Sequence, residues 1–170
     1  SDRIASSQVR RFAIAHELGH LLLDHPSQIP SRIRGLERPY APLVEVTANA
    51  FASELLMPAA LVREMCDLSE GDLDTPREIA HLFDVSLLAA SIRYTELSRQ
   101  PCAAVFSVAG EEGAGKIRWV TSSASMEARI RRGRRLSSSS VASSFFASGR
   151  STTDPTEVPW DAWFDRTPDG

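Results

Sequence analysis

Ser7-Gln-Val-Arg-Arg-Phe12-Ala-Ile-Ala-His16-Glu17-Leu18-Gly19-His20-Leu-Leu-Leu-Asp-His25 is the stretch on which the reading of this chain turns. Val9, Phe12, Ala13, Leu18, Leu21 and Leu22 recur at three- and four-residue steps, with serines ahead and Pro26 behind, which predicts a helix from Ser7 to His25. His16-Glu17-Leu18-Gly19-His20 fits the HExxH pattern and lies inside that helix. Histidines four apart on a helix project from one face, so both imidazoles reach one tetrahedral Zn²⁺ at about 2.0–2.1 Å. Glu17 stands roughly 100° around the helix from His16, placed to act on a water as general base rather than as a ligand.

The plain alternative for such a pattern is a polar stripe on a surface helix. Against it, Phe12, Ala13, Leu18 and Leu21 to Leu23 surround the histidines with apolar character, which predicts a buried helix whose polar groups need partners. Gly19 costs the helix about 0.5–1 kcal/mol relative to alanine and is expected where another backbone or a substrate comes close. A catalytic zinc needs a third protein ligand and an open position. Leu43 to Leu56 carries Val44, Ala48, Phe51, Ala52 and Leu55 on a helical repeat and ends at Met57-Pro58, so a second helix is predicted there. Glu45 opens it, one turn before Asn49. A carboxylate for the metal and an amide able to hold a ligand histidine, or Glu45 itself, thus share one face. Glu54, further along the helix and equally explicable as a solvated charge, ranks second, and Glu37 third.

His16-Glu-Leu-Gly-His20, followed by Glu45-Val-Thr-Ala-Asn49-Ala-Phe51-Ala52-Ser-Glu-Leu55-Leu56-Met57-Pro58, resembles the ImmA/IrrE-type metallopeptidases. Their pattern is HExxH, a short loop and E-x-x-A-N-x-F-A-x-x-L-L-M-P. The resemblance covers residues 8–58, and more weakly the helices to about residue 100. It implies zinc ligation by His16, His20 and Glu45, catalysis by Glu17, and a small gluzincin-like, thermolysin-like core. It also implies a biological role, limited regulatory proteolysis of a protein partner such as a transcriptional repressor. The oxyanion that forms in peptide hydrolysis needs a further donor. His25, Tyr40, His81 and Tyr94 are the candidates.

Pro26, Pro30, Pro39 and Pro42 with Gly35 make residues 26–42 a surface loop, a candidate lid. Ala59 to Leu68 reads as a short helix. Thr75-Pro76-Arg77-Glu78 reads as a capping box opening a helix to about Phe83, and Ser86 as the cap of another running to about Arg99. Cys102–Ala109 and Lys116–Ser122 are strand-like runs around a glycine-bearing segment, so a β-hairpin is expected. Residues 126–135 are basic and read as a helix, residues 137–144 as a serine-rich loop, and the tail is acidic with Trp160, Trp163 and Phe164 embedded. The expected fold class is α+β, mainly helical. Residues 1–100 form the peptidase core with its helical extension, and 101–170 a β-containing C-terminal region.

With 170 residues, 42% hydrophobic and 24% charged, the composition is that of an ordinary soluble globular chain. No apolar run approaches the roughly 20 residues of a membrane span. The opening residues do not read as a secretory leader, which predicts an intracellular, cytoplasmic protein. Cys66 and Cys102 lack CxxC spacing and read as free thiols. Two signals compete with the peptidase reading. Residues 76–97 have helix-turn-helix spacing, the basis of an alternative in which the chain binds DNA, or a protein partner, without cutting. However, Ser86 to Arg93 is mostly apolar, and residues 60–100 hold eight acidic residues against four arginines, a balance that opposes DNA binding. The arginines at 129, 131, 132, 134 and 135 read as a solvated face. The aromatic tail either docks on a partner or folds back on its own domain.

Overall fold

The computed structural model describes residues 6–25, 41–69, 73–110, 115–150, 152 and 154–164. Among these, six α-helices and one antiparallel strand pair make a mainly helical α+β fold. The helices are α1 (Ser7–Leu22), α2 (Ala41–Leu56), α3 (Ala59–Asp67), α4 (Asp74–Leu82), α5 (Leu87–Leu97) and α6 (Val141–Ser148); the strands are β1 (Ala103–Ala109) and β2 (Gly115–Ser122). No described helix is long and apolar enough to cross a membrane. Of the residues read as a loop and lid, 26–40 lie outside the described residues, while Ala41 and Pro42 belong to α2, whose first turn has no use for the missing proline N–H.

The apolar core lies in α3, α4 and α5, where Met57, Val62, Cys66, Ile79, Val85, Ala90 and Tyr94 pack together. Ser86 caps α5 as expected, its Oγ accepting from the Ala89 N–H at 3.1 Å. Thr75 does not cap α4. The helix begins two residues earlier, with Leu73 at the cap position, and the Thr75 hydroxyl donates instead to Ser69 Oγ at 2.8 Å. Burial pushes the Cys66 thiol up to about 11, so it is an inert packing group; both cysteines are free.

Two polar joints tie the α1–α2 pair to this core. Arg11 on α1 donates to the Phe83 and Asp84 carbonyls and to the Asp84 carboxylate, and Gln8 donates to the same carboxylate. Asp84 itself sits in the left-handed region, φ 48°. On the α2 side, Arg93 is ion-paired with Glu54 and donates to the Met57 carbonyl at 3.0 Å, while the other Glu54 oxygen accepts the Ala59 N–H that opens α3. That N–H, then the Arg93 guanidinium, hold the Glu54 carboxyl below its usual range. A depressed folded-state pKa means stability present above the ordinary carboxylate value and lost as pH falls through the folded one. Native protein should therefore lose more of its urea midpoint between pH 7 and pH 4 than Glu54→Gln does. Equal losses would show that the joint contributes nothing to acid stability.

Arg93 is also the cation a DNA-reading α5 would need. Its side chain is only 9% exposed, so it is spent inside the fold.

The burial expected for α1 is not found. Only Ala15 and Gly19 are buried in it, while Ile14 is 69% and Leu21 74% exposed. A helical apolar period shows which face seeks cover, but the residues α1 fully buries lie only on the narrow seam it shares with α2.

Beyond α5 the hairpin forms as expected, with β1 paired antiparallel to β2 and a bulge between Phe106 and Ser107. The basic segment is not a helix. Gly133 turns at φ 82°, and the chain returns as an edge alongside β2, where Arg135 faces Lys116 and the Ile117 N–H bonds the Arg134 carbonyl. The serine-rich stretch is not all loop: Ser140 Oγ accepts the Ser143 N–H and opens α6. Gly115 is required there, since a Cβ would lie 2.4 Å from both Leu136 and Phe146. The tail folds back, with Ala162 buried, Trp160 against Phe164 and Arg134 donating to the Asp161 carbonyl.

Candidate metal centre

The site is made by two helices that approach closely because the residues between them are small. Ala15 and Gly19 of α1 face Ala48 and Ala52 of α2, all four buried. A Cβ on Gly19 would meet Phe51 Cδ1 at 3.1 Å, the Ala48 carbonyl oxygen at 3.2 Å and Ala48 Cα at 3.3 Å. The reading of Gly19 as the point of close backbone approach is thus met by α2. Gly19→Ala should gain about 0.5–1 kcal/mol of helix propensity yet lose about 1–3 kcal/mol to overpacking, for a net drop in urea midpoint. An unchanged or raised midpoint would show that the seam yields freely.

Across this seam α1 brings His16 and His20, and α2 brings Glu45 and Asn49. His16 Nε2 and His20 Nε2 are 3.0 Å apart. Glu45 Oε2 lies 3.3 Å from the former and Oε1 3.7 Å from the latter. The three residues form a group in which one ligand atom from each lies within 4.8 Å of the others. Bonds of about 2.0–2.2 Å at tetrahedral angles place donor atoms about 3.3 Å apart, close to the 3.0 Å between the two Nε2 atoms and to the 3.3 and 3.7 Å from them to the two Glu45 oxygens. The donor set, two imidazoles and a carboxylate, is one that zinc takes, and it leaves a fourth direction free. The chemistry of the apposed atoms agrees. Asn49 Oδ1 accepts from His16 Nδ1 at 3.0 Å, so neutral His16 has its lone pair on Nε2. Electron pairs converging at such distances repel unless a cation or a hydrogen lies between them.

Glu17 is exposed and enters no hydrogen bond or ion pair among the described residues, which leaves its carboxylate free beside the histidines. Glu54 is not part of the group; it is held in the joint with Arg93 and Ala59. Glu37 and Tyr40 lie outside the described residues. Tyr94 is buried in the core with its hydroxyl on Ser69, His81 is exposed on α4, and both ring nitrogens of His25 are engaged, by His20 and by Thr47. The His25 ring is thus engaged on both sides, and Tyr94 is enclosed in the core.

A cleft of about 650 Å³ adjoins the cluster, lined by Phe12, Val46, Asn49, Ser53, Ile92 and Glu96 among others. A second cavity of about 770 Å³ lies between α5, the hairpin and the tail, and no residue of the cluster lines it. Sequence reasoning offered His25 only as an oxyanion donor, not as a partner of His20, and did not single out Thr47. The available signal was a third histidine just past the helix end, close behind the pentad.

Residues 1–95 match the family model Peptidase_M78, described as IrrE N-terminal-like domain. No curated protein matches the chain.

Proposed function

The chain belongs to the Peptidase_M78, IrrE N-terminal-like family, and from that premise we propose that it is a zinc-dependent endopeptidase making limited, regulatory cuts in a protein partner such as a transcriptional repressor. The observation that carries this reading is the convergence of two imidazoles and one carboxylate, His16 Nε2 and His20 Nε2 being 3.0 Å apart with one Glu45 oxygen 3.3 Å from the first and the other 3.7 Å from the second. In this reading His16, His20 and Glu45 hold the metal and Glu17 is the general base. Zinc, when bound, lowers the pKa of a water toward neutrality and polarises a carbonyl. Glu17 takes the proton from the attacking water and delivers it to the leaving amine. Asn49 holds the His16 ring in place. The cleft beside Asn49 offers an apolar wall for a substrate side chain, which favours a folded or extended protein segment over a small polar molecule. The setting proposed is the cytoplasm, where such a regulator would meet its enzyme.

Elemental analysis of chelator-free protein should give about one zinc per chain. Cleavage of the repressor encoded nearest the gene should stop when zinc is stripped and resume when it is returned. Folded protein that takes up no zinc when offered it would end the proposal, and cleavage indifferent to stripping would end the assignment of the chemistry to this site.

A further inference from the structure

His25 occupies a place that neither ligation nor proton transfer accounts for. α1 ends at Leu22, and Asp24 takes a left-handed conformation at φ 51° that turns the chain back, so the His25 N–H bonds the His20 carbonyl at 2.9 Å. This is the closing bond of a Schellman motif, in which glycine is the usual left-handed residue and a side chain carries a cost. The turn sets the His25 ring beside that of His20, their centroids 5.0 Å apart and their Nδ1 atoms 3.0 Å apart. On its other side His25 Nε2 is 3.1 Å from Thr47 Oγ1.

The far end of this chain sets the direction of its protons. Thr47 has one hydroxyl proton, and the Leu43 and Val44 carbonyls, each 3.0 Å away, accept it. With that proton on either carbonyl, the Thr47 oxygen is an acceptor toward His25, and His25 Nε2 is the donor. A neutral His25 with its proton there has a lone pair on Nδ1. Its contact with His20 is a hydrogen bond only if His20 Nδ1 carries the hydrogen; the competing place for that one hydrogen is Nε2 itself, where it would be donated to His16 Nε2 at 3.0 Å. Hydrogen on Nδ1 leaves the His20 lone pair on Nε2, the atom facing His16 Nε2 and Glu45. Asn49 acts on His16 in the same sense, through an amide oxygen.

We propose that His25, anchored by Thr47, is a positioning residue that locks His20 in the Nδ1–H tautomer and so aims its Nε2 lone pair into the donor cluster. The value of this lock for metal binding rests on the zinc reading above; the lock itself is readable without metal.

The test uses the full chain, ¹⁵N-labelled and stripped of metal, at a pH where the imidazoles are neutral. Long-range proton–nitrogen correlation reads which ring nitrogen bears the proton, and zinc affinity is measured by competition with a chromophoric chelator. Native His20 is expected as Nδ1–H. His25→Ala should move it toward Nε2–H and weaken zinc binding about 10–100-fold. His25→Asn, which offers the kind of oxygen that Asn49 offers His16, should restore most of both. Thr47→Val, which keeps the histidine but frees its tautomer, should fall between, and it carries the test should His25→Ala fail to fold. Nε2–H His20 in the native chain would overturn the proposal. Variants at 25 and 47 with native tautomer and affinity would overturn it equally. A native chain that binds no zinc, yet shows Nδ1–H His20 that switches in the variants, would remove the zinc reading and sustain the lock.

Discussion

Glu17→Gln should slow cleavage of a protein substrate by about 10²–10⁴-fold, the range contributed by a positioned general acid–base group, while zinc content stays at the native level. The amide keeps the size of the carboxylate and loses only its capacity to take a proton. Glu17 has no hydrogen bond or ion pair to lose among the described residues, and it is exposed, so folding should be unaffected. Single-turnover cleavage with the metal content of both proteins measured in parallel separates the two effects. Equal rates at equal zinc would discard Glu17 as the base; loss of zinc with loss of rate would show that it supports the metal instead.

A second large effect is expected at Glu45. Its side chain is 61% exposed, so Glu45→Ala opens no cavity and should leave the urea midpoint near native. Zinc binding should weaken by more than about 100-fold, beyond the effect of losing a group that only orients a ligand. Glu54→Ala is the matched contrast, because that carboxylate pairs with Arg93 and accepts the first N–H of α3. It should lower the midpoint and leave zinc affinity near native. The reverse pattern would make Glu54 the ligand.

These contrasts show what was legible beforehand. His16 with His20, and Glu45 with Asn49, are pairs four apart on strongly periodic segments, so their shared faces could be read without knowing how the helices meet. The meeting itself was visible only as Gly19, an expensive residue inside a helix. Period alone did not reveal that α1 leaves Ile14 and Leu21 exposed, because it shows that a face is apolar and not what covers it. The arginines at 129–135 read as a helix since no local signal competes, yet the Gly133 turn and pairing with β2 decide their conformation. Ser140 opens α6 through a cap that serine-rich composition hides. The contact of Thr47 with His25 joins the second helix to the chain beyond the first, and nothing local to either residue announces it.

The seam of Ala15, Gly19, Ala48 and Ala52 makes the two helices a pair of jaws closed on a fixed stop. The spacing of the donors at their tips is then set by the seam, and the bond length of an ion decides only how far it stands out of the donor plane: calcium, at about 2.3–2.6 Å, would ride higher there than zinc. Enlarging one of these four residues, none of which touches the ion, would respace the donors without altering the ligands.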